Sequence, residues 1–554
     1  MNTFTIVQLR KAVKINSVFL DFPANSVSYS EYVREEGEKM DTAARIRMLR
    51  EWEKRLSAYQ LGLTMISLDA GGAPSSGASY RGERRALLAG EYRKVLKDEA
   101  MFENLLELEE VLNRPDADIF IRLDPAEKAV IRREVTLYLR QLRQEKEVPV
   151  DAYMAFERAK DKASRDWLRA KKEEDFASHA PLQQEVIDRY KDIIAASQPT
   201  NNEKEGSLYD RMLDRHQPGW TTKEYDFFFD SVRTRIVPLL QRIMEQEPVR
   251  EDFLYDFYPA EKQRKVMRKI CDYIGFTEDW GKLGESEHPL TTTVCQGDIR
   301  FTTKYREHGI HQAILSTIHE TGHAYFGHQV DPAFEGSVIA HSISAGLHES
   351  QSRLLENHIG RSRAFWKEVL PMLQEEFPEQ LKSVDPEQFY RAVNAVNPSF
   401  IRTQADEVTY PLHIMIRYEL EKEFLGGHMP AKDLEEAWNA KYEEYLGIRP
   451  QKPSEGVLQD MHWPYAYFGY FPTYALGSAM AAQFAHTMEE KIDVPGLLKT
   501  HRFTAITDWL KENVHHFGGF IEAEEVLLRA TGHSFDPGYY IEYLENKYTA
   551  RFTK

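Results

Sequence analysis

The sequence predicts a mainly α-helical protein, and three observations carry the prediction. Apolar residues recur at three- and four-residue spacing along most of the chain, only one stretch reads as strand, and core material is ample. Hydrophobic residues make up 42% and aromatic residues 12%, a globular composition that excludes disorder throughout. At 554 residues the chain is longer than one ordinary compact domain. That length points to one large cored body or to two lobes enclosing a cleft.

The elements follow in order. Residues 41 to 68, 81 to 112, 125 to 146 and 151 to 173 each carry the helical period among charges. Asp124-Pro125 places an N-cap acceptor before a proline at the first helical position, so a helix is expected to begin there. The small-residue tract AGGAPSSGAS, residues 70 to 79, reads as a loop. A polar stretch at 197 to 207 divides an N-terminal helical region, 1 to 200, from a main region, 201 to 554, within one continuous fold. The strand candidate is TTTVCQGDIRFTTKY, residues 291 to 305, rich in Thr, Val, Ile, Phe and Tyr with Gly297 inside it. From about 311 onward helical periodicity returns, interrupted at Pro398, at Gly426-Gly427 and over 449 to 456.

The formal charge is −17 and no block of Lys and Arg stands out, so nucleic acid is not an expected partner. Only Cys271 and Cys295 occur, too few for a disulfide framework, which points to a reducing compartment and a cytoplasmic location. The first residues lack the apolar core and cleavage site of a signal peptide. No uncharged apolar run approaches the roughly 18 residues of a membrane span, so no membrane association is expected.

The motif with chemical content is His319-Glu320-Thr321-Gly322-His323. Residues four apart share a helix face, so both imidazoles can approach one tetrahedral zinc while Glu320, one step round, reaches water on the ion. Ile314, Leu315, Ile318 and Phe326 supply the buried side of the same helix. A catalytic zinc takes a third protein ligand and keeps one position open. Glu349, in LHESQSRLLENHIG, is one candidate; Glu356 on the same segment is its rival, and His348 is a candidate outer partner.

Five separated patterns resemble the carboxypeptidase Taq family of metallopeptidases. They are Asp298-Ile299-Arg300-Phe301-Thr302, the His319 to His323 motif, His348-Glu349-Ser350-Gln351, Ile401-Arg402-Thr403-Gln404-Ala405-Asp406, and Gly456-Val457-Leu458-Gln459-Asp460-Met461-His462-Trp463. The stretch GYFPTYALGS, 469 to 478, is also similar to that family's C-terminal active-site segment. The chain departs from the family at His288-Pro289-Leu290, where His-Pro-Phe is usual, at Ser67-Leu68-Asp69, where a tryptophan is expected, and over its first 45 or so residues. The resemblance assigns the third ligand to Glu349. It implies a large helical ellipsoid with a deep central cleft, a small antiparallel sheet near the active site, lid helices in the N-terminal region, and a homodimer.

Chemically, Glu320 is expected to act as general base and then as general acid toward the leaving amine. Tyr470, Tyr474 and His462 are the candidates for donating to the oxyanion. Recognition of a terminal carboxylate favours an arginine fork, with Arg402 first and Arg300 second, at a site where a new helix is expected after Asn397-Pro398-Ser399. Salt bridging to Asp298 is the alternative role for Arg300. Asp298 and His288 complete the substrate-binding candidates, while Asp406 and Asp460 are expected to orient neighbours or cap helices. The expectation is a broad-specificity zinc carboxypeptidase acting on peptides, with one Zn2+ per subunit and Co2+ or another divalent ion as a substitute. An oligopeptidase or dipeptidyl peptidase with the same chemistry, and a non-catalytic scaffold stapled by metal, are the competing readings.

Overall fold

The computed structural model describes residues 41–70, 74–114, 123–197 and 206–549. Helices dominate it, as the periodicity predicts, and the described residues pack as two units. The first runs to Lys146 and includes Asp331–His341; the second comprises the rest from Glu147. Most of the expected divider at 197–207 lies outside the described residues; the two units meet in the chain at 146/147.

The first unit holds α1 (Thr42–Ala70), α2 (Ala78–Leu96), α3 (Glu99–Asn113) and α4 (Pro125–Lys146). The segment 81–112, read as one helix, is two. Asp98 leaves the helical conformation, and its carboxylate accepts from the Met101 amide at 2.9 Å, capping α3. Asp124 caps α4 as expected, accepting from the Ala126 amide at 2.8 Å. Leu49, Trp52, Leu105, Leu108, Ile131 and Leu139 form this unit's core.

In the second unit the helical pair α5 (Val150–Glu173) and α6 (Phe176–Ala196) and further helices over Leu208–His216, Thr222–Met244 and Ala260–Tyr273 precede a three-stranded sheet. The strands are β1 (Gly281–Glu285), β2 (Thr291–Cys295) and β3 (Asp298–Thr303), in spatial order β1-β3-β2. The stretch read as one strand is therefore a hairpin turning at Gln296-Gly297. β2 pairs with β3 antiparallel as expected, but β1 pairs with β3 in parallel, so the sheet is mixed. β1 reads GKLGE, which has neither alternation nor β-branched residues, so only its partner reveals it. Ile299, Phe301 and Thr303 face inward on β3, and the Thr303 hydroxyl donates to the Ala313 carbonyl at 3.2 Å, seating the sheet on the next helix.

That helix is α7 (Ile310–Gln329), the bearer of the His319 motif. α8 (Ala345–Arg353) follows, capped by Ser344, whose hydroxyl accepts from the Leu347 amide at 2.9 Å. It continues as a π-helical turn over Leu354–Gly360. Arg402 starts no α-helix; it lies in a 3-10 turn, Arg402–Gln404, and α9 (Tyr410–Leu425) begins later. Asp406 sets that start by accepting from the Val408 and Thr409 amides at 2.9 and 3.0 Å. α10 (Phe471–Lys491) carries the run ALGSAMAA, whose small residues admit a neighbouring backbone.

Candidate metal centre and active site

Two glycines let three helices meet at Glu349. A Cβ on Gly322 of α7 would stand 2.5 Å from the Gln351 carbonyl oxygen of α8, and one on Gly477 of α10 would stand 2.6 Å from Glu349 Cγ. Neither position admits a side chain without movement, so α8 is gripped between α7 and α10.

The grip brings the predicted ligands together. His319, His323 and Glu349 each offer a ligand atom, and all three lie within 4.8 Å of one another. Glu349 Oε2 is 3.4 Å from His323 Nε2 and 3.7 Å from His319 Nε2. Tetrahedral donors roughly 2.0–2.2 Å from an ion stand roughly 3.4 Å apart, so the spacing fits one small divalent cation. Two nitrogens and one oxygen are the donor set of catalytic zinc sites, and they leave one position open.

The rivalry between Glu349 and Glu356 is decided by which imidazole nitrogen each faces. Glu356 Oε2 lies 2.9 Å from His319 Nδ1, behind the ring, where it fixes the tautomer that leaves Nε2 free for a metal. Arg353, which sequence reasoning missed, bridges the two acids: its Nε donates to Glu349 Oε1 at 2.8 Å and its Nη1 to Glu356 Oε2 at 3.0 Å. Its signal was present in the sequence, four residues after Glu349 and three before Glu356. Burial pushes the Glu349 carboxyl up, but Arg353 and the two imidazoles overcome this and hold it well below the usual carboxylate range. Glu349 is thus a carboxylate ready to bind a cation.

Glu320 stands on the same helix but faces the sheet. The Thr291 hydroxyl of β2 lies 2.6 Å from Glu320 Oε2 and 3.0 Å from the Glu320 carbonyl, fixing the carboxylate's direction. Thr291 is the second residue that sequence reasoning missed; a contact between a strand and a helix 29 residues apart leaves no local pattern.

A second cluster surrounds Asp460. Arg402 donates through Nε and Nη2 to Asp460 Oδ1 at 3.1 and 2.9 Å, while Arg417 Nε reaches Oδ2 at 2.8 Å. Burial lowers the Asp460 carboxyl's affinity for its charge, but the two guanidinium groups reverse this and hold it far below its usual range. Two arginines on one carboxylate leave one positive charge in a buried place. The Arg402 guanidinium also lies over the Phe471 and Tyr474 rings, 5.5 and 5.2 Å from their centres. Lys171 and Trp167 of α5 donate to the Gln459 and Leu458 carbonyls at 2.9 and 3.0 Å, holding the loop that carries Asp460 and His462.

His462, Tyr470 and Tyr474 gather beside this cluster. His462 Nε2 is 3.4 Å from the Tyr474 hydroxyl, and the Tyr470 and Tyr474 ring centres are 5.2 Å apart. Burial pushes the His462 imidazole down to about 3 and the Tyr470 phenol up to about 12, with the charge of Glu349 adding to the latter. Both are therefore neutral donors at neutral pH. Of the remaining candidates, Arg300 meets Asp298 in a two-pronged pair at 2.8 and 2.7 Å, the alternative the sequence left open, and the His288 carbonyl accepts from Ser286. Leu290, where the family usually has Phe, is 46% exposed.

With this geometry in place, comparison with known proteins is decisive. The model of the carboxypeptidase Taq (M32) metallopeptidases matches residues 48–548. The chain belongs to that family. Carboxypeptidase 1 of Bacillus subtilis is 36% identical over 499 residues, covering 90% of this chain and 96% of that protein. Thermostable carboxypeptidase 1 of Thermus thermophilus is 32% identical over 486 residues, covering 86% and 93%. Among solved structures, the M32 carboxypeptidase of Deinococcus radiodurans R1 superposes with a TM-score of 0.86 at 30% identity, covering 92% of this chain and 100% of that one. Metallocarboxypeptidase 1 of Trypanosoma cruzi gives 0.84 at 29% identity, covering 91% and 99%. As an M32 metallocarboxypeptidase the chain is a peptide hydrolase whose family works with a divalent metal. None of the described helices is long and apolar enough to cross a membrane.

Proposed function

We propose that the chain removes C-terminal residues from peptides with broad specificity, using zinc held by His319, His323 and Glu349. The observation that carries the reading is the convergence of these three ligand atoms within 4.8 Å; Glu320 follows His319 on the same helix, and Thr291 holds its carboxylate. When bound, the ion supplies a Lewis acid that acidifies water and polarises the scissile carbonyl. Glu320 takes the proton from the attacking water and hands it to the departing amine. His462, Tyr470 or Tyr474 donates a hydrogen bond to the oxygen that gains charge.

Arg402 is the group assigned to the substrate's terminal carboxylate. The support is the uncompensated positive charge that Arg402 and Arg417 leave around Asp460, which suits an incoming anion in a desolvated place. Asp298 and Arg300, which neutralise each other, are assigned a structural role on β3. Zinc as the native ion is supported by the mixed nitrogen and oxygen donor set. A cytoplasmic location is supported by two unpaired cysteines. A homodimer rests on the family resemblance.

Peptide pairs that differ only in a free or an amidated C-terminus test the proposal, with products read by mass. Stepwise loss of single residues from the free-acid peptides, with amidated partners left intact, is expected. Internal cuts, dipeptide release or equal trimming of the amides would contradict it.

A further inference from the structure

The two imidazoles of the centre are held in different ways. His319 has the usual arrangement, with Nδ1 fixed by the Glu356 carboxylate. His323 Nδ1 is buried and, among the described residues, has no hydrogen-bond partner. Its ring lies instead against His348, with centres 4.5 Å apart and planes 19° from parallel. The contact continues as a column of tilted rings: His348 to Phe326 at 5.1 Å and 53°, then Phe326 to His515 at 5.2 Å and 58°. His515 ends it as a fixed post, its Nδ1 2.7 Å from Gln329 Oε1 and its Nε2 2.9 Å from Gln351 Oε1.

The column alternates between elements. His323, Phe326 and Gln329 stand on α7, His348 and Gln351 on α8, and His515 beyond both. With one face laid against His348, the His323 ring cannot rotate about its Cβ–Cγ bond without breaking that contact, so stacking does what a hydrogen bond to Nδ1 does for His319. The stack also couples to loading. Coordination withdraws electron density from the His323 ring, and an electron-poor ring is attracted more strongly to the face of a neighbouring π system.

We propose that His348 is a positioning residue that orients His323 for metal by ring stacking, replacing the Nδ1 hydrogen bond that His323 lacks. The proposal rests on the metal-centre reading above. An interaction stronger in the loaded than in the empty state raises affinity for the ion, so the aromatic face of His348, not its polar nitrogens, is the part that matters.

The test is Zn2+ affinity, by competition with a chelating dye, in the full chain and in two variants with opposite chemistry. His348→Phe keeps an aromatic ring and removes the ring nitrogens; His348→Asn keeps polar groups and removes the ring. The expected result is that the Phe variant stays within about threefold of the unaltered chain while the Asn variant weakens about 10- to 100-fold, the range typical of lost outer-shell partners. The visible spectrum of the Co2+-loaded protein should shift in the Asn variant and not in the Phe variant. Asn binding as tightly as the unaltered chain, or Phe as weakly as Asn, would overturn the role of stacking. An unaltered chain that fails to take up one Zn2+ would overturn the metal-centre reading itself.

Discussion

Glu320 differs from His319 and Glu349 in what holds it: a neutral threonine hydroxyl on β2 rather than a charged partner such as Glu356 or Arg353. A carboxylate held that way keeps its second oxygen open to water. Glu320→Gln should therefore leave metal content unchanged while kcat falls about 10²- to 10⁴-fold, the range for loss of a positioned base. Metal analysis beside steady-state kinetics checks both halves, and retained turnover would remove Glu320 from the chemistry. The pair of histidines was legible because four-residue spacing on a helix has a geometric consequence. Glu349 and Glu356 were not separable by pattern, since seven residues are about two turns and put both on one face. Only the direction of each around the His319 ring tells them apart.

Among the elements, α8 is the one whose position matters most, because it brings the carboxylate to the imidazoles. Gly477 on α10 leaves the space it needs. Gly477→Ala would place a methyl 2.6 Å from Glu349 Cγ, and overpacking of that kind costs about 1–3 kcal/mol. The expected outcome is a lower thermal midpoint together with weaker Zn2+ binding; a variant unchanged in both would show that α8 has room to shift. The long helices were legible in their periodicity, and Asp124-Pro125 marked the start of α4 where the structure has it. The break at Asp98 was hidden because the apolar period runs through it, and β1 was hidden because parallel pairing is non-local.

For the whole molecule, stability should depend on pH through buried acids. Glu421 is fully buried, accepts from Tyr209, Trp463 and the Gly469 amide at 2.8, 2.8 and 2.9 Å, and ties the loop carrying His462 to α9. Burial raises its carboxyl from 4.5 to about 7, against the pull of those donors and of Arg417. The folded state then keeps a proton that the unfolded chain has released. Its contribution is complete below about 4.5 and is lost as pH rises through about 7. Unfolding midpoints of the unaltered chain should fall across that window more steeply than those of Glu421→Gln; parallel curves would contradict this. The division at 146/147 was not legible in advance, and of the Asp460 cluster only the orienting role of Asp460 was; its pairing with Arg402 and Arg417 arises from contacts between segments far apart in the chain.

The central claim, that His319, His323 and Glu349 hold one divalent ion, is tested most directly by native mass spectrometry of the purified chain beside His323→Ala and Glu349→Gln. The account predicts one ion per chain in the unaltered protein and none in either folded variant. An ion kept at full occupancy in both variants would contradict it.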